Sequence, residues 1–355
     1  MGPGTLADGA FGAAPLRHVV KMINSLSRFR RAVGQSHLEQ EVKHSAFFIV
    51  VGTILAVGAL AGIALSVGTD RLADILARAH WYWLPIALSA TVASYIGYVV
   101  AYRETAGAEG LPLSRIGALV AGGFGLFIPR GGFALDVEAL AAAGVPEQKA
   151  RIRVLALSTL EYAVLAPAVF VVSVLLLCRQ WPVQLGVRLP WAIGVPVGGM
   201  IALWLLRHRS TLRRSDGWRS RLAPALDGIA ETIRLWRRPQ YGFLAFLGMA
   251  VYWAADIFVL WACIAVFSGR QPGVATIIIG YATGYALTRR ALPLAGAGAV
   301  ESLLPFALSW TGIGLGVAVA SVCAYRVFNL WLPLIPAAAG LFMLKRASAE
   351  PPLAA

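Results

Sequence analysis

The chain has 355 residues, 58% of them hydrophobic and 14% charged, with a mean hydropathy of +0.71. A soluble domain carries about 25% charged residues, so the composition excludes a soluble globular fold and implies several membrane spans. The formal net charge is +14, and every basic residue except Lys21, Lys43, Lys149 and Lys345 is arginine. These charges flank apolar runs, so they read as topology signals that also attract anionic lipid, and no nucleic-acid partner is expected.

Residues 1–45 form a basic tail. Within it Leu16, Val19, Val20, Ile23 and Leu26 recur at helical spacing beside Arg17, Lys21, Arg28, Arg30 and Arg31. That is the pattern of an interfacial amphipathic helix, with a disordered basic tail as the alternative. The first long apolar run begins at Ala46 with no small-residue cleavage site before it, so no cleaved signal peptide is expected. A spanning helix needs about 20 apolar residues, and six segments qualify: 46–67, 82–102, 153–178, 189–206, 241–267 and 317–344. Loop 68–81 balances Asp70 and Asp74 against Arg71 and Arg78, whereas loop 207–240 is strongly arginine-rich. Lys345 and Arg346 follow the last segment. The positive-inside rule then puts both termini in the cytoplasm, with a membrane domain over 46–345 and a short tail over 346–355.

Two apolar stretches, 117–145 and 277–314, are too broken to span. Each is an apolar half-helix, a Pro/Gly break, and a second half-helix carrying a carboxylate. The breaks fall at Pro129, Gly131 and Gly132, and at Pro293, Gly296 and Gly298. With six spans, each stretch must enter and leave on one side, the first from the cytoplasm and the second from outside. The predicted fold is therefore an all-α polytopic membrane protein: six spanning helices plus two re-entrant helical hairpins. The halves, about 46–178 and 189–344, form an inverted repeat, a recurring plan among transporters. The alternative is two ordinary spans with Gly-rich kinks.

Ionisable residues at bilayer depth are the candidates for function. They are Arg130, Asp136, Glu138, Glu161, Asp256, Arg289, Arg290, Glu301 and Arg326. An unpaired charge at the centre of a span costs roughly 2.5–3.5 kcal/mol on insertion scales, so these groups must pair, reach water or titrate to neutral. Glu301 follows a Gly-rich break, where the free N–H groups of a new helix favour an anion; this structural role is compatible with a functional one. Glu161 has no cation within helical reach, and Arg326 or Arg289 is its expected partner. Arg130, Arg289 and Arg290 suit an anionic headgroup, because guanidinium binds phosphate bidentately; snorkelling is the alternative for the Arg289–Arg290 pair. Glu138 is expected to be solvated, and Asp256, among aromatics, to be satisfied by a tyrosine hydroxyl. Hydrolase, transferase and ATPase motifs are not seen. Cys178, Cys263 and Cys323 show no metal-ligand spacing, and the five histidines lie outside the spans. Neither a metal nor another cofactor is expected.

The stretch LPLAGAGAVESLLPFALSWTGIGLGVAVASVCAYRVFNLWLPL (292–334) resembles the closing motif of the lysylphosphatidylglycerol synthase transmembrane region, also called the flippase-like domain. The pattern falls on Pro293, Gly296, Gly298, Glu301, Gly312, Tyr325, Arg326 and Pro333. A looser resemblance to the family's first motif runs through Pro129, Gly131, Gly132, Gly144 and Glu161. The chain departs from it at Ala134, Leu135 and Asp136, where relatives often carry Gly-Glu and then Arg, and at Tyr162, where they tend to have Arg. The soluble aminoacyl transferase domain of some relatives is not expected here.

The resemblance implies a non-enzymatic lipid translocase of the bacterial inner membrane. Its substrate would be a lipid with an anionic or aminoacylated headgroup, held by Arg130, Glu161, Arg289, Arg290, Glu301 and Arg326. A homo-oligomer or a separate lipid-modifying enzyme is the expected protein partner. The alternatives are a membrane partner in lipid-linked glycan assembly, holding a polyprenyl phosphate, and a solute or ion transporter.

Overall fold

A computed structural model describes residues 54–106, 145–179, 184–214, 223–237, 239–269, 271–286 and 298–333, together with Val51, Val137, Leu140 and Ile335. Every regular element among them is helical. Four helices are long and apolar enough to cross a membrane: α3 (Trp83–Ala106), α4 (Glu147–Cys178), α5 (Leu185–Arg207) and α7 (Pro239–Phe267), the last over Gly242–Phe267. With them the chain is a multi-pass membrane protein. At 1.5 Å per residue each reaches about 30 Å or more, the thickness of the hydrocarbon core.

Six full spans are expected from sequence, and the two ends of the membrane domain account for the difference. The first segment does not run straight. Its described part, α1 (Ile54–Val67), turns by 96° at Gly68 into α2 (Thr69–Ala77). On α2, Leu72, Ile75 and Leu76 line one side and Asp70, Arg71 and Asp74 another, as on a helix lying in the interface. The last segment is described only as α10 (Leu315–Arg326), which continues into a π-helical turn, Val327–Trp331. The expected first hairpin lies outside the described residues apart from Val137, Leu140 and Val145.

The second hairpin is described on both sides of its break. Helix α8 (Val274–Tyr281) runs into a π-helical turn, Ala282–Ala286, and α9 (Ala299–Trp310) follows the break. Neither arm reaches the length of a span. A Cβ on Gly280 would fall 2.8 Å from Leu308 Cδ2, and one on Gly284 would fall 2.5 Å from Leu304 Cα. Positions advancing by four on one arm thus meet positions receding by four on the other. The arms are antiparallel, as in a hairpin. A tight turn at Gly312, whose φ of 99° only glycine adopts without strain, returns the chain into α10.

Helix α3 crosses α7 at a pair of glycines. A Cβ on Gly97 would lie 2.6 Å from the Gly248 carbonyl oxygen, and one on Gly248 would lie 2.7 Å from that of Gly97. Small residues let two backbones approach where lipid supplies no hydrophobic drive for association. Ser94 also donates to the Tyr252 carbonyl at 3.3 Å. The arginine-rich segment 207–240, read from sequence as a loop, contains a further helix, α6 (Ala223–Trp236). It lies on α4: Gly228 abuts Leu155, and Thr232 donates to the Ala156 carbonyl at 3.0 Å. One core joins Leu157 and Leu160 of α4, Met249 and Leu260 of α7, Ile277 of α8, Leu304 of α9 and Val322 of α10. Helix α5 buries only Val187 and Arg188, and Ile193, Met200 and Trp204 point outward as a lipid-facing rim.

Candidate functional site

Glu301 and Arg326 are both expected from sequence, and the structure brings them together. Glu301 occupies the first turn of α9, and Arg326 the last turn of α10. At 1.5 Å per residue both stand about 15–17 Å from the turn that joins these helices, near half the hydrocarbon thickness. Arg326 Nε donates to Glu301 Oε1 at 2.5 Å, with the two side chains 2% and 0% exposed. The other carboxylate oxygen, Oε2, accepts the Gly298 backbone N–H at 2.6 Å. Glu301 therefore caps its own helix, the structural role expected of it, and also holds the buried cation. Gly298 supplies that N–H from a φ of 83°, in the left-handed region open to glycine, and a Cβ there would come within 3.2 Å of Leu55 on α1.

Asp256 lies on α7, and the tyrosine contact expected for it is present twice over. Tyr281 and Tyr325 both donate to its Oδ2, the second at 2.8 Å. Oδ1 accepts from Asn329 Nδ2 at 3.0 Å. Asn329 Oδ1 in turn accepts from Tyr285 Oη at 2.8 Å and from Arg326 Nη1 at 3.4 Å. One continuous polar chain thus runs from Gly298 through Glu301, Arg326 and Asn329 to Asp256, flanked by three tyrosines. Their rings pack edge to face or tilted, with centroids 5.0 Å apart for Tyr281–Tyr285 and 5.7 Å for Tyr285–Tyr325. Arg326 Nη2 is buried without a hydrogen-bond partner among the described residues. Such a donor is rare in a folded protein.

Glu161 is buried on α4. Of the two partners expected for it, Arg326 is paired with Glu301 instead, and Arg289 lies outside the described residues. Trp253, one turn before Asp256 on α7, donates its indole N–H to the backbone carbonyl of Glu161 at 2.9 Å. Arg130, Arg289, Arg290, Asp136, Glu138, Pro129, Gly131, Gly132, Pro293 and Gly296 lie outside the described residues.

Sequence reasoning missed Asn329, Tyr281 and Tyr285. The spacings Tyr281–Tyr285 (i, i+4) and Arg326–Asn329 (i, i+3) in otherwise apolar runs were the available signal. A cleft of about 650 Å³ opens at the other end of α10, lined in part by Arg71, Asp74, Arg78, His80 and the first residues of α10.

The model of the family described as the lysylphosphatidylglycerol synthase TM region matches residues 49–337. That is well over half of the chain, and the chain belongs to this family. Comparison with curated proteins finds no match.

Proposed function

With membership of that family as the premise, we propose that this protein is an inner-membrane lipid translocase with both termini in the cytoplasm. It carries an anionic or aminoacylated headgroup past the Glu301–Arg326 pair while the acyl chains stay in the bilayer. The observation that carries this reading is Arg326. Its guanidinium is buried, oriented by Glu301, and its Nη2 has no hydrogen-bond partner among the described residues. Guanidinium matches phosphate geometry, and a desolvated donor gains most from an anion. Glu301 sets the direction of that donor. In an aminoacylated headgroup, a carboxylate would also attract the ammonium. The polar cleft at the far end of α10 gives such a headgroup a wet place to enter or leave. Re-entrant half-helices in an inverted repeat, with Arg130, Arg289 and Arg290 beside the breaks, belong to the same reading, since broken backbone at membrane depth is tolerated only where it lines a polar cavity or packs in protein.

The test is translocation of labelled phosphatidylglycerol and its lysyl ester by the purified protein in liposomes. The wild type is expected to accelerate movement of at least one of them, and Glu301→Gln to abolish it while remaining folded and membrane-inserted. Folded wild-type protein that moves neither lipid would refute the assignment.

A further inference from the structure

Asp256 is 5% exposed and accepts three hydrogen bonds, all from neutral donors: Tyr281, Tyr325 and Asn329. Among the described residues no cation is within ion-pair distance of it, and Arg326 is linked to it only through Asn329. Three donors and no acceptor is the hydrogen-bonding pattern of an ionised carboxylate; a protonated one must donate to something. On Oδ2 a proton would meet the two tyrosine hydroxyls, each of which would have to give up its own donation to accept it; on Oδ1 it meets Asn329 alone. At present Asn329 touches that oxygen through its Nδ2 donor. Its own Oδ1 is turned away because Arg326 Nη1 and Tyr285 Oη donate to it.

A half-turn of the Asn329 amide exchanges the two ends, which are nearly the same size. Its oxygen would then accept from a protonated Asp256. Its NH₂ would face Tyr285, whose hydroxyl can rotate to accept, and Arg326, which cannot accept at all. The turned state therefore requires the Arg326 guanidinium to be engaged elsewhere. Its unused Nη2 is where an anion would engage it, and the 3.4 Å bond to Asn329 is the longest in the chain and the first to yield.

We propose that Asn329 is an amide switch that couples anion binding at Arg326 to uptake of one proton by Asp256. The inference rests on the headgroup reading above and adds its coupling ion. The step is balanced: one proton leaves water and forms an O–H bond on Asp256 Oδ1, and no other covalent bond changes. When the anion departs, Arg326 returns, the amide turns back and the proton leaves. A singly charged anionic headgroup and a proton then move together with no net charge.

The titratable and charged groups facing Asp256 from neighbouring described elements are Tyr281 and Tyr285 on the α8 arm, Tyr325 and Arg326 on α10, and Cys263 on α7 itself. Glu301 on α9 joins them through Arg326. It is the rival proton acceptor, because it too loses a donor when Arg326 moves.

The probe is glycerophosphoglycerol, a soluble phosphodiester with one negative charge across the pH range used. Calorimetric titration of the purified protein in two buffers of different ionisation enthalpy counts protons taken up per anion bound. The wild type is expected to take up about one proton, and Asp256→Asn none. Uptake undiminished in Asp256→Asn would overturn the proposal in favour of Glu301. Wild-type binding without uptake would overturn the coupling and leave the headgroup site standing. Absence of binding to folded wild type would overturn both. If Asp256→Asn fails gel filtration, Asn329→Leu carries the test, since it keeps the two tyrosine donors to Asp256 while removing the amide together with its bonds to Tyr285 and Arg326. Uptake is expected to vanish there too, and its persistence would overturn the proposal.

Discussion

Replacing Arg326 by methionine removes the cation of the buried pair and leaves most of its volume filled. Glu301, fully buried, then keeps one donor, the Gly298 N–H at 2.6 Å, and loses the Arg326 bond at 2.5 Å. Asn329 Oδ1 loses a weak donor but keeps Tyr285. Removing one member of a buried ion pair costs about 3–5 kcal/mol, because the other is left as an uncompensated buried charge. At 1.4 kcal/mol per decade, that is a hundredfold to several-thousandfold loss in the folding equilibrium. Glu301→Gln, whose amide oxygen can still accept the Gly298 N–H, leaves the opposite charge unpaired and should cost a similar amount. The double variant removes both charges and should recover much of the loss, so a double-mutant cycle in reversible detergent unfolding should give a coupling energy of several kcal/mol. A single Arg326→Met variant within 1 kcal/mol of wild type, or a double variant as weak as the sum of the singles, would refute the view that this pair is a desolvated unit.

Two further outcomes test the packing and the topology. Gly97→Ala or Gly248→Ala places a Cβ 2.6–2.7 Å from a facing carbonyl oxygen. The two helices must then separate, with an expected loss of about 1–3 kcal/mol in the same unfolding assay; wild-type stability would mean that α3 and α7 do not cross there. Cys178 is exposed just before the end of α4, whereas Cys263 is buried in α7. With Cys323 changed to serine, a membrane-impermeant maleimide added to spheroplasts should label Cys178 and spare Cys263. Labelling of Cys178 only after permeabilisation would reverse the orientation deduced from the arginine-rich loops.

What could be read in the sequence was set by the kind of signal. Length and hydropathy identify α3, α4, α5 and α7, because a span is a local run of apolar residues. The two short helices α8 and α9 within 277–314 were legible for the same reason: two apolar runs, each too short to span, on either side of Pro293 and Gly296. The bend at Gly68 was not legible, since α1 and α2 read as one span and its loop until the 96° turn is seen. Helix α6 was hidden because the arginines on either side of it read as a cytoplasmic loop, and only Gly228 and Thr232 against α4 reveal the packed helix between them. Pairing partners were the hardest to read. Arg326 is equally reachable in sequence from Glu161 and Glu301, and the choice is made by the antiparallel course of α9 and α10, a tertiary fact.

The elements that carry the polar chain are the irregular ones. Glu301 opens a helix straight after a left-handed glycine, and Tyr285 and Asn329 both lie in π-helical turns, where they bond to each other. A π turn inserts one residue into the α pattern and swings the following side chains by about 100°. Such turns are rare and are frequently found at functional sites. The direct bond between these two turns makes their distortions mutually supporting: restoring the second to α geometry would carry Asn329 away and leave Asp256 with two donors instead of three, and restoring the first would take the Tyr285 donor from Asn329. A network assembled from two distorted turns and one helix start lacks the regular backbone pairing of the helices around it. The polar chain thus sits on irregular backbone, whereas the crossing of α3 and α7 at Gly97 and Gly248 is regular helix against regular helix.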